Sequence, residues 1–367
     1  MSVDPVTSLL RCPVTGENLR WMDDASREKA NRHIAAGELK HLDGSAVAKS
    51  LDRAVVNDQG TLAYRWDSGI FALLADLAIA LTQDATPGYT ASEEKKAAQA
   101  FYNEFGWQKS GDLFKDTERF EDTRPVSADY IHRCHVRVGR HLPKQGAYLL
   151  DVASGPVQFP EYEAYSQNFE KRVCVDLSLA ALRAAQEKLG KRAIYLLGDI
   201  TRLPIRDDAC DAGISLHTIY HVPADEQRKA FHELRRAVRS DGPALVVYNW
   251  GHHCFMMEVA MLPFKLIKWP GQLVRRLTKG RKKRKNAKGG LYYHPHPPAW
   301  VRAELTDLRP EFRAWRSVSV PWLRKYVQPW LLGRLLLRMV FRAEETCPNL
   351  AGRFGQYPLI VLSKPKR

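Results

Sequence analysis

From Tyr148 onward the chain alternates short apolar runs with amphipathic stretches, and no other feature constrains its fold as tightly. The apolar runs read YLLDVA, RVCVDLS, AIYLLGDI, DAGISLH and ALVVYNW, with helical segments such as LAALRAAQEKLG and DEQRKAFHELRRAV between them. Strands this uniformly apolar are buried on both faces, and intervening helices cover both faces only when the strands run parallel. The pattern predicts an α/β class, doubly wound sheet over residues 141–367. Two later strand candidates, RAWRSVSV and YPLIVLSK, lie beyond a long insertion at residues 250–310.

Upstream the reading is coarser. Residues 1–82 hold short apolar runs, two of them ending in turn signals (PVTGE and DQG), and predict a small α+β module. The polar stretch TQDATPGYTASEEKK reads as a linker, so residues 83–140 are expected to be linker and leading helices. A chain of 367 residues, 45% hydrophobic and 26% charged, has a globular composition that excludes wholesale disorder. No run of 18 uncharged apolar residues occurs, and the start MSVDPVTSLLRCP has neither a basic n-region nor an apolar core, so a cytoplasmic location is expected. Six scattered cysteines without a C-x-x-C pair read as free thiols, and no metal site is expected.

The formal charge of +15 is concentrated rather than spread. Between Arg275 and Lys288 stand nine basic residues and no acid, directly after the apolar stretch CFMMEVAMLPFKLIKW. An apolar segment beside a polybasic tract suits peripheral contact with an anionic membrane, as at the inner membrane surface; RNA phosphates are a weaker fit, and a solvated loop beside a substrate lid is the plainest reading. The segment PWLLGRLLLRMVF reads as a core or lid helix with Arg334 and Arg338 on one face, or as a second amphipathic membrane contact.

In an open α/β sheet, ligands collect at the carboxyl ends of the strands. The first strand ends in Asp151 and runs into the small-residue loop Ala153, Ser154, Gly155; the second ends in Asp176 and Leu177; the third in Asp199 and Ile200; the fourth in Leu216 and His217. A lone strand-end Asp is often only a helix cap. A series in register is a binding site. The loop lacks the three-glycine G-x-G-x-x-G fingerprint, which argues against a nicotinamide enzyme.

In order and spacing, DVASGP, VCVDLS, GDI, DAGISLHTIYHV and FHELRRAVRSDGPALVV resemble the motifs of class I S-adenosylmethionine-dependent methyltransferases. The resemblance implies a seven-stranded Rossmann-like sheet with YPLIVLSK inserted antiparallel, and S-adenosylmethionine as cofactor. It places Asp151, Ala153, Ser154 and Gly155 at the methionine end, Asp176 and Leu177 at the ribose, and Asp199 and Ile200 at the adenine. Leu216 completes the set, and Tyr102 and Trp107 are the aromatics expected to cover the cofactor. The family usually carries three glycines in the loop; this chain has Ala153, Gly155 and Val157.

Residues 7–81 resemble the small zinc-ribbon-like methyltransferase activators in Leu10, Cys12, Pro13, Leu19, Tyr64, Gly69, Ile70 and Leu74. Thr15 stands where a second thiolate would be, so this module is expected to be metal-free, either a fused activator or an ancillary stabilising domain. For the chemistry, His217 and His221 lie near the expected methyl group and His294 lies in the insertion; imidazole suits deprotonation of a hydroxyl or amine. No N/D-P-P-F/Y motif follows the fourth strand, where Leu216-His217-Thr218-Ile219 stands. The expected reaction is methyl transfer to an oxygen or nitrogen of a small molecule, including a glycan or lipid-linked intermediate. The alternatives are an RNA or protein methyltransferase with a fused activator, and a non-catalytic binding protein of the same fold.

Overall fold

A computed structural model describes residues 4–82, 88–111, 113–264 and 291–363. The basic tract between Arg275 and Lys288 lies outside the described residues. The strands are β1 Leu19–Trp21, β2 Arg53–Asn57, β3 Leu62–Asp67, β4 Ile70–Ala72, β5 Ile79–Ala80, the hairpin β6 Lys109–Ser110 and β7 Leu113–Phe114, β8 Gly146–Val152, β9 Phe169–Asp176, β10 Ala193–Leu197, β11 Ala212–Leu216, β12 Ala244–Val247, β13 Glu311–Arg316 and β14 Tyr357–Leu362. The helices are α1 Asp24–Ala35, α2 Glu93–Phe101, α3 Lys115–Phe120, α4 Ala128–Gly139, α5 Pro160–Ala164, α6 Leu179–Leu189, α7 Gln227–Ala237, α8 Phe255–Ala260, α9 Pro298–Glu304, α10 Val320–Tyr326, α11 Gly333–Thr346 and α12 Pro348–Phe354.

The C-terminal strands lie in the order β10-β9-β8-β11-β12-β14-β13. Those from β10 to β12 pair parallel, and β14 inserts antiparallel between β12 and β13. Helix α6 packs on β9 and β10, α7 on β11, and α4 on β13. Two helix starts have a local cause: Ser178 caps α6 by accepting from the Ala181 amide, and Ser92 caps α2 by accepting from the Lys95 amide.

The expected count of seven strands does not hold for the sheet as a whole. It has twelve, because β4 pairs parallel with β10 and brings β3, β5, β2 and β1 with it. Apolar alternation predicts that a strand exists but not which neighbour it takes, and an edge as apolar as β10 (AIYLL) is stable only when covered. The N-terminal segment therefore shares its core with the rest of the chain. Leu10, Leu19, Tyr64, Phe71 and Leu73 join one buried cluster with Leu196, Ile205 and Phe231, while Met22, Ala30, Ile34 and Leu51 form a smaller one involving α1. At the seam, Leu10 bridges to Ile205, and Arg11 pairs with Asp207 at 3.2 Å and Glu233 at 3.3 Å.

The Cys12 thiol is buried 3.0 Å from the Tyr64 hydroxyl and accepts the Thr15 amide. Among the described residues no group of three or more His, Cys, Asp or Glu is disposed to hold a metal ion, and no helix is long and apolar enough to cross a membrane.

Phe71 tests the shared core. Its buried ring lies 5.5 Å from that of Trp21, on the strand that pairs with β10. Phe71→Ala should cost about 3 kcal/mol. Calorimetry should show a single unfolding transition moved to lower temperature, whereas two separate transitions would mean that the N-terminal segment unfolds by itself.

Candidate active site

The carboxyl ends of β8 to β11 enclose one cavity. All eleven residues expected at a cofactor line it: Tyr102, Trp107, Asp151, Ala153, Ser154, Gly155, Asp176, Leu177, Asp199, Ile200 and Leu216. His217 and His221 line it as well.

The loop after β8 has an unusual backbone. Ala153, Gly155 and Val157 sit at φ +57°, +56° and +50°, the left-handed region that favours glycine. The three-glycine geometry is thus retained with a glycine at only one of the three positions. A Cβ on Gly155 would stand 3.1 Å from two ring atoms of Trp107, so that glycine is needed for space as well as for angle. Trp107 in turn stacks on Tyr102, with centroids 5.1 Å apart and planes at 16°.

Asp176 ends β9 as a buried carboxylate that accepts the amides of Gly155 at 2.9 Å and Ser178 at 2.8 Å. Burial pushes it up to about 6 against the pull of those amides. Asp151 is engaged differently: Arg172 of β9 donates to its Oδ2 from Nε at 2.8 Å and Nη2 at 2.5 Å, and both side chains are buried. Asp199 accepts the Thr201 amide at 2.8 Å and the Lys95 ammonium at 2.7 Å. Lys95 also meets Glu226 at 2.5 Å; burial works to lower it, and the two carboxylates overcome this and hold it above its ordinary value.

The residues present fit S-adenosylmethionine. Asp176 offers a buried acceptor suited to ribose hydroxyls, and Gly155 leaves backbone open to approach. The Trp107 indole Nε1 is a buried donor without a protein partner in the wall of the cavity, a position at which a ligand acceptor is the natural complement.

Beside this cavity lies a second one that shares Tyr102, Asp116, Gln158, Tyr162, His217 and His221 with it, and adds Glu121, Asn249, Tyr293, Arg316 and Tyr357. His217 has φ +60° and packs against Trp315; burial first, and then Arg316, hold its imidazole well below its ordinary value. His221 Nδ1 lies 2.7 Å from the Tyr292 carbonyl, so Nδ1 carries the proton and Nε2 keeps its lone pair; burial pushes this group down to about 4. Burial raises Asp116 to about 6, against Arg119. Glu121 and Arg316 form a buried pair at 2.6 Å. His294 is not brought to either cavity: its side chain is exposed, its amide donates to the Tyr220 carbonyl at 2.8 Å, and the following Pro295 takes the buried place.

Sequence reasoning missed Lys95, Asp116, Arg172 and Arg316. Lys95 had a usable signal, since Lys95, Ala98 and Tyr102 follow the i, i+3, i+7 spacing of one helix face and all three line the cavity. Arg172 had one too, standing four residues before Asp176 and so on the same face of the strand, directly ahead of the apolar run Val173–Cys174–Val175. Asp116, in a polar stretch, had none.

An acid at the end of each of three adjacent parallel strands, around a cavity roofed by aromatics, fits the cofactor site of a class I methyltransferase fold. Residues 150–246 match the family model described as a methyltransferase domain, and the chain carries an S-adenosylmethionine-dependent methyltransferase domain. No curated protein matches the chain. Among solved structures it is similar to phosphoethanolamine N-methyltransferase 1 of Haemonchus contortus (13% identity, covering 76% of this chain and 50% of that one, TM-score 0.45). It is also similar to geranyl diphosphate C-methyltransferase from Streptomyces coelicolor A3(2) (14%, 76% and 100%, 0.43). A third similar structure is a Haloferax volcanii complex between the Trm112 methyltransferase activator and a putative methyltransferase (14%, 76% and 100%, 0.41).

Two outcomes test the site. Ala153→Gly removes a left-handed strain of about 1–2 kcal/mol and adds unfolded-state freedom of about 0.5–1 kcal/mol, so the variant should be more stable by up to about 1 kcal/mol in urea unfolding. For Asp176, the folded value of about 6 lies above the ordinary carboxyl range, so the carboxyl takes up its proton as pH falls through 6. The ionised form accepts two hydroxyl donors and the protonated form loses an acceptor. Cofactor affinity should therefore be full above this range and fall by up to about tenfold per pH unit below it. Asp176→Asn should bind about 100-fold more weakly and lose that pH dependence, both read by calorimetry.

Proposed function

We propose that the chain methylates an oxygen or nitrogen of a small molecule seated in the second cavity. The observation that carries this reading is the wall common to both cavities, which puts Asp116, His217 and His221 beside donor and acceptor alike. When bound, S-adenosylmethionine supplies an electrophilic methyl group on a cationic sulfur.

The residues of this chain do the rest. Asp176 and Gly155 fix the nucleoside side, and Tyr102 with Trp107 covers it. A proton leaves the acceptor as its oxygen or nitrogen takes the methyl group, and a base whose affinity lies near neutrality receives it best. Asp116, at about 6, suits that task better than His221, at about 4. His221, with Nδ1 fixed on Tyr292, then presents Nε2 as an acceptor that orients the nucleophile's hydrogen. The rings of Phe120, Phe159, Tyr220 and Tyr357 around the second cavity favour an acceptor with an apolar or cyclic body, such as a glycan or lipid-linked intermediate. In this reading residues 7–81 act as a covalently joined activator, contributing β4 beside the strand that leads to Asp199.

The test is label transfer from methyl-labelled S-adenosylmethionine into fractionated cell extract. Label should enter the low-mass fraction; label in the RNA or protein fraction would sink this reading in favour of a macromolecular acceptor. With the acceptor in hand, Asp116→Asn should lower kcat about 100-fold at unchanged cofactor affinity, and His221→Ala should lower it less. The opposite ranking would transfer the base role to His221.

A further inference from the structure

Away from both cavities, two neighbouring stretches turn large apolar side chains to solvent. On α8 and just beyond it, Phe255, Met256, Val259 and Leu262 are 49–77% exposed. Ahead of and along α11, Trp330, Leu331, Leu332, Leu335 and Met339 are 51–77% exposed. These are nine of the fifteen large apolar side chains exposed among the described residues, so the exposure is concentrated rather than scattered. Helix α8 packs on α10, and α10 leads directly in sequence to the turn at Trp330 and to α11. The Ser319 amide reaches the Met257 sulfur at 3.4 Å, the Tyr326 hydroxyl donates to the Ala260 carbonyl at 2.5 Å, and Phe264 packs edge-on to Tyr326.

Helix α11 has three faces at about 100° per residue. Gly333, Leu337 and Glu344 are buried against the protein. Leu335 and Met339 lie roughly opposite them, where a surface helix ordinarily carries polar residues. Arg334 and Arg338 form a stripe between the two and line a groove against α4; the groove's other charged residues, Arg133 and Asp129, are paired with each other at 3.1 Å. Residues 320–342 contain five cations (Arg324, Lys325, Arg334, Arg338, Arg342) and no acid.

We propose that this face, α8 with the turn at Trp330 and α11, docks on an anionic phospholipid bilayer. The apolar side chains enter the acyl boundary, Trp330 sits at the interface, and Arg334 and Arg338 meet lipid phosphates. The charge selects this occupant. A second copy of the chain on the same face would bring the two sets of cations together, because a two-fold contact sets a patch against itself. A neutral apolar partner would leave them unmatched. The surface is independent of the acceptor assigned above, and its test does not require methyl transfer.

The experiment is flotation of the full chain with extruded vesicles of phosphatidylcholine alone, and of phosphatidylcholine with about one-third phosphatidylserine. The protein should float with the anionic vesicles only, and about 0.5 M salt should release much of it. Leu335→Glu with Met339→Glu places charge on exposed positions and should cut vesicle affinity at least about tenfold. Arg334→Gln with Arg338→Gln, which leaves the apolar stripe intact, should weaken binding several-fold and flatten its salt dependence. Cofactor affinity and thermal unfolding should be unchanged in both variants. Absence of wild-type binding, or a glutamate variant that floats as well as its parent, would overturn the proposal. So would a solution dimer that the glutamate pair dissolves while no vesicles are bound.

Discussion

The site depends on one buried ion pair. Arg172 and Asp151 face each other across β9 and β8 with almost no exposure, and Arg172 also donates to the Tyr162 carbonyl at 2.5 Å. A charge so placed is strongly destabilising unless its partner is held in position, and removing one member of such a pair typically costs about 3–5 kcal/mol. The pair therefore fixes the last turn of β8, from which the 153–157 loop departs, and ties it to the segment that brings Gln158 and Tyr162 to both cavities. Hydrophobic residues in its place could be as stable, but they would not orient the loop in the same way.

Around that pair the environment divides the work of four carboxylates. Asp151 is neutralised by a guanidinium and Asp199 by an ammonium, and both serve as structural anchors. Asp176 is met by backbone amides, and the burial of Asp116 is opposed only by the Coulombic pull of Arg119; burial lifts both to about 6. Uncompensated burial is the condition that makes a carboxyl ready for a new partner, whether hydroxyl donors at Asp176 or a proton at Asp116.

Much of this was legible in the sequence, for definite reasons. Strand-end residues announce themselves because the runs before them are largely apolar and a polar residue marks the edge; that rule points to Asp176, Asp199 and His217, all three of which line the cavity. The late strand YPLIVLSK inserts antiparallel between β12 and β13, as the family resemblance implies. What the sequence hid was lateral: nothing in IFA or AIYLL says that they pair, and so the sheet grew from seven strands to twelve. The function of Arg316 was hidden for a similar reason, since its role is recognisable only once Glu121 is seen beside it. His294 failed on chain direction, because the adjacent prolines decide which side chains of that extended segment turn inward.

The loop after β8 shows how a strained backbone is kept without the residue that would relax it. Each non-glycine in the left-handed region costs about 1–2 kcal/mol, and two of them, Ala153 and Val157, stand here two residues before and two after Gly155. The surroundings hold the conformation. The Ala153 amide donates to the Val175 carbonyl at 2.7 Å, the Val157 side chain is fully buried, and its carbonyl accepts the Lys188 ammonium at 2.7 Å. A β-carbon at these positions also narrows the unfolded ensemble relative to glycine, which returns part of the cost. Glycine is then left where a side chain would crowd the Trp107 ring, at 3.1 Å from two of its atoms. That is the arrangement expected of a ligand clamp whose shape is set before the ligand arrives, since strain at such a place persists only when the neighbours over-determine it.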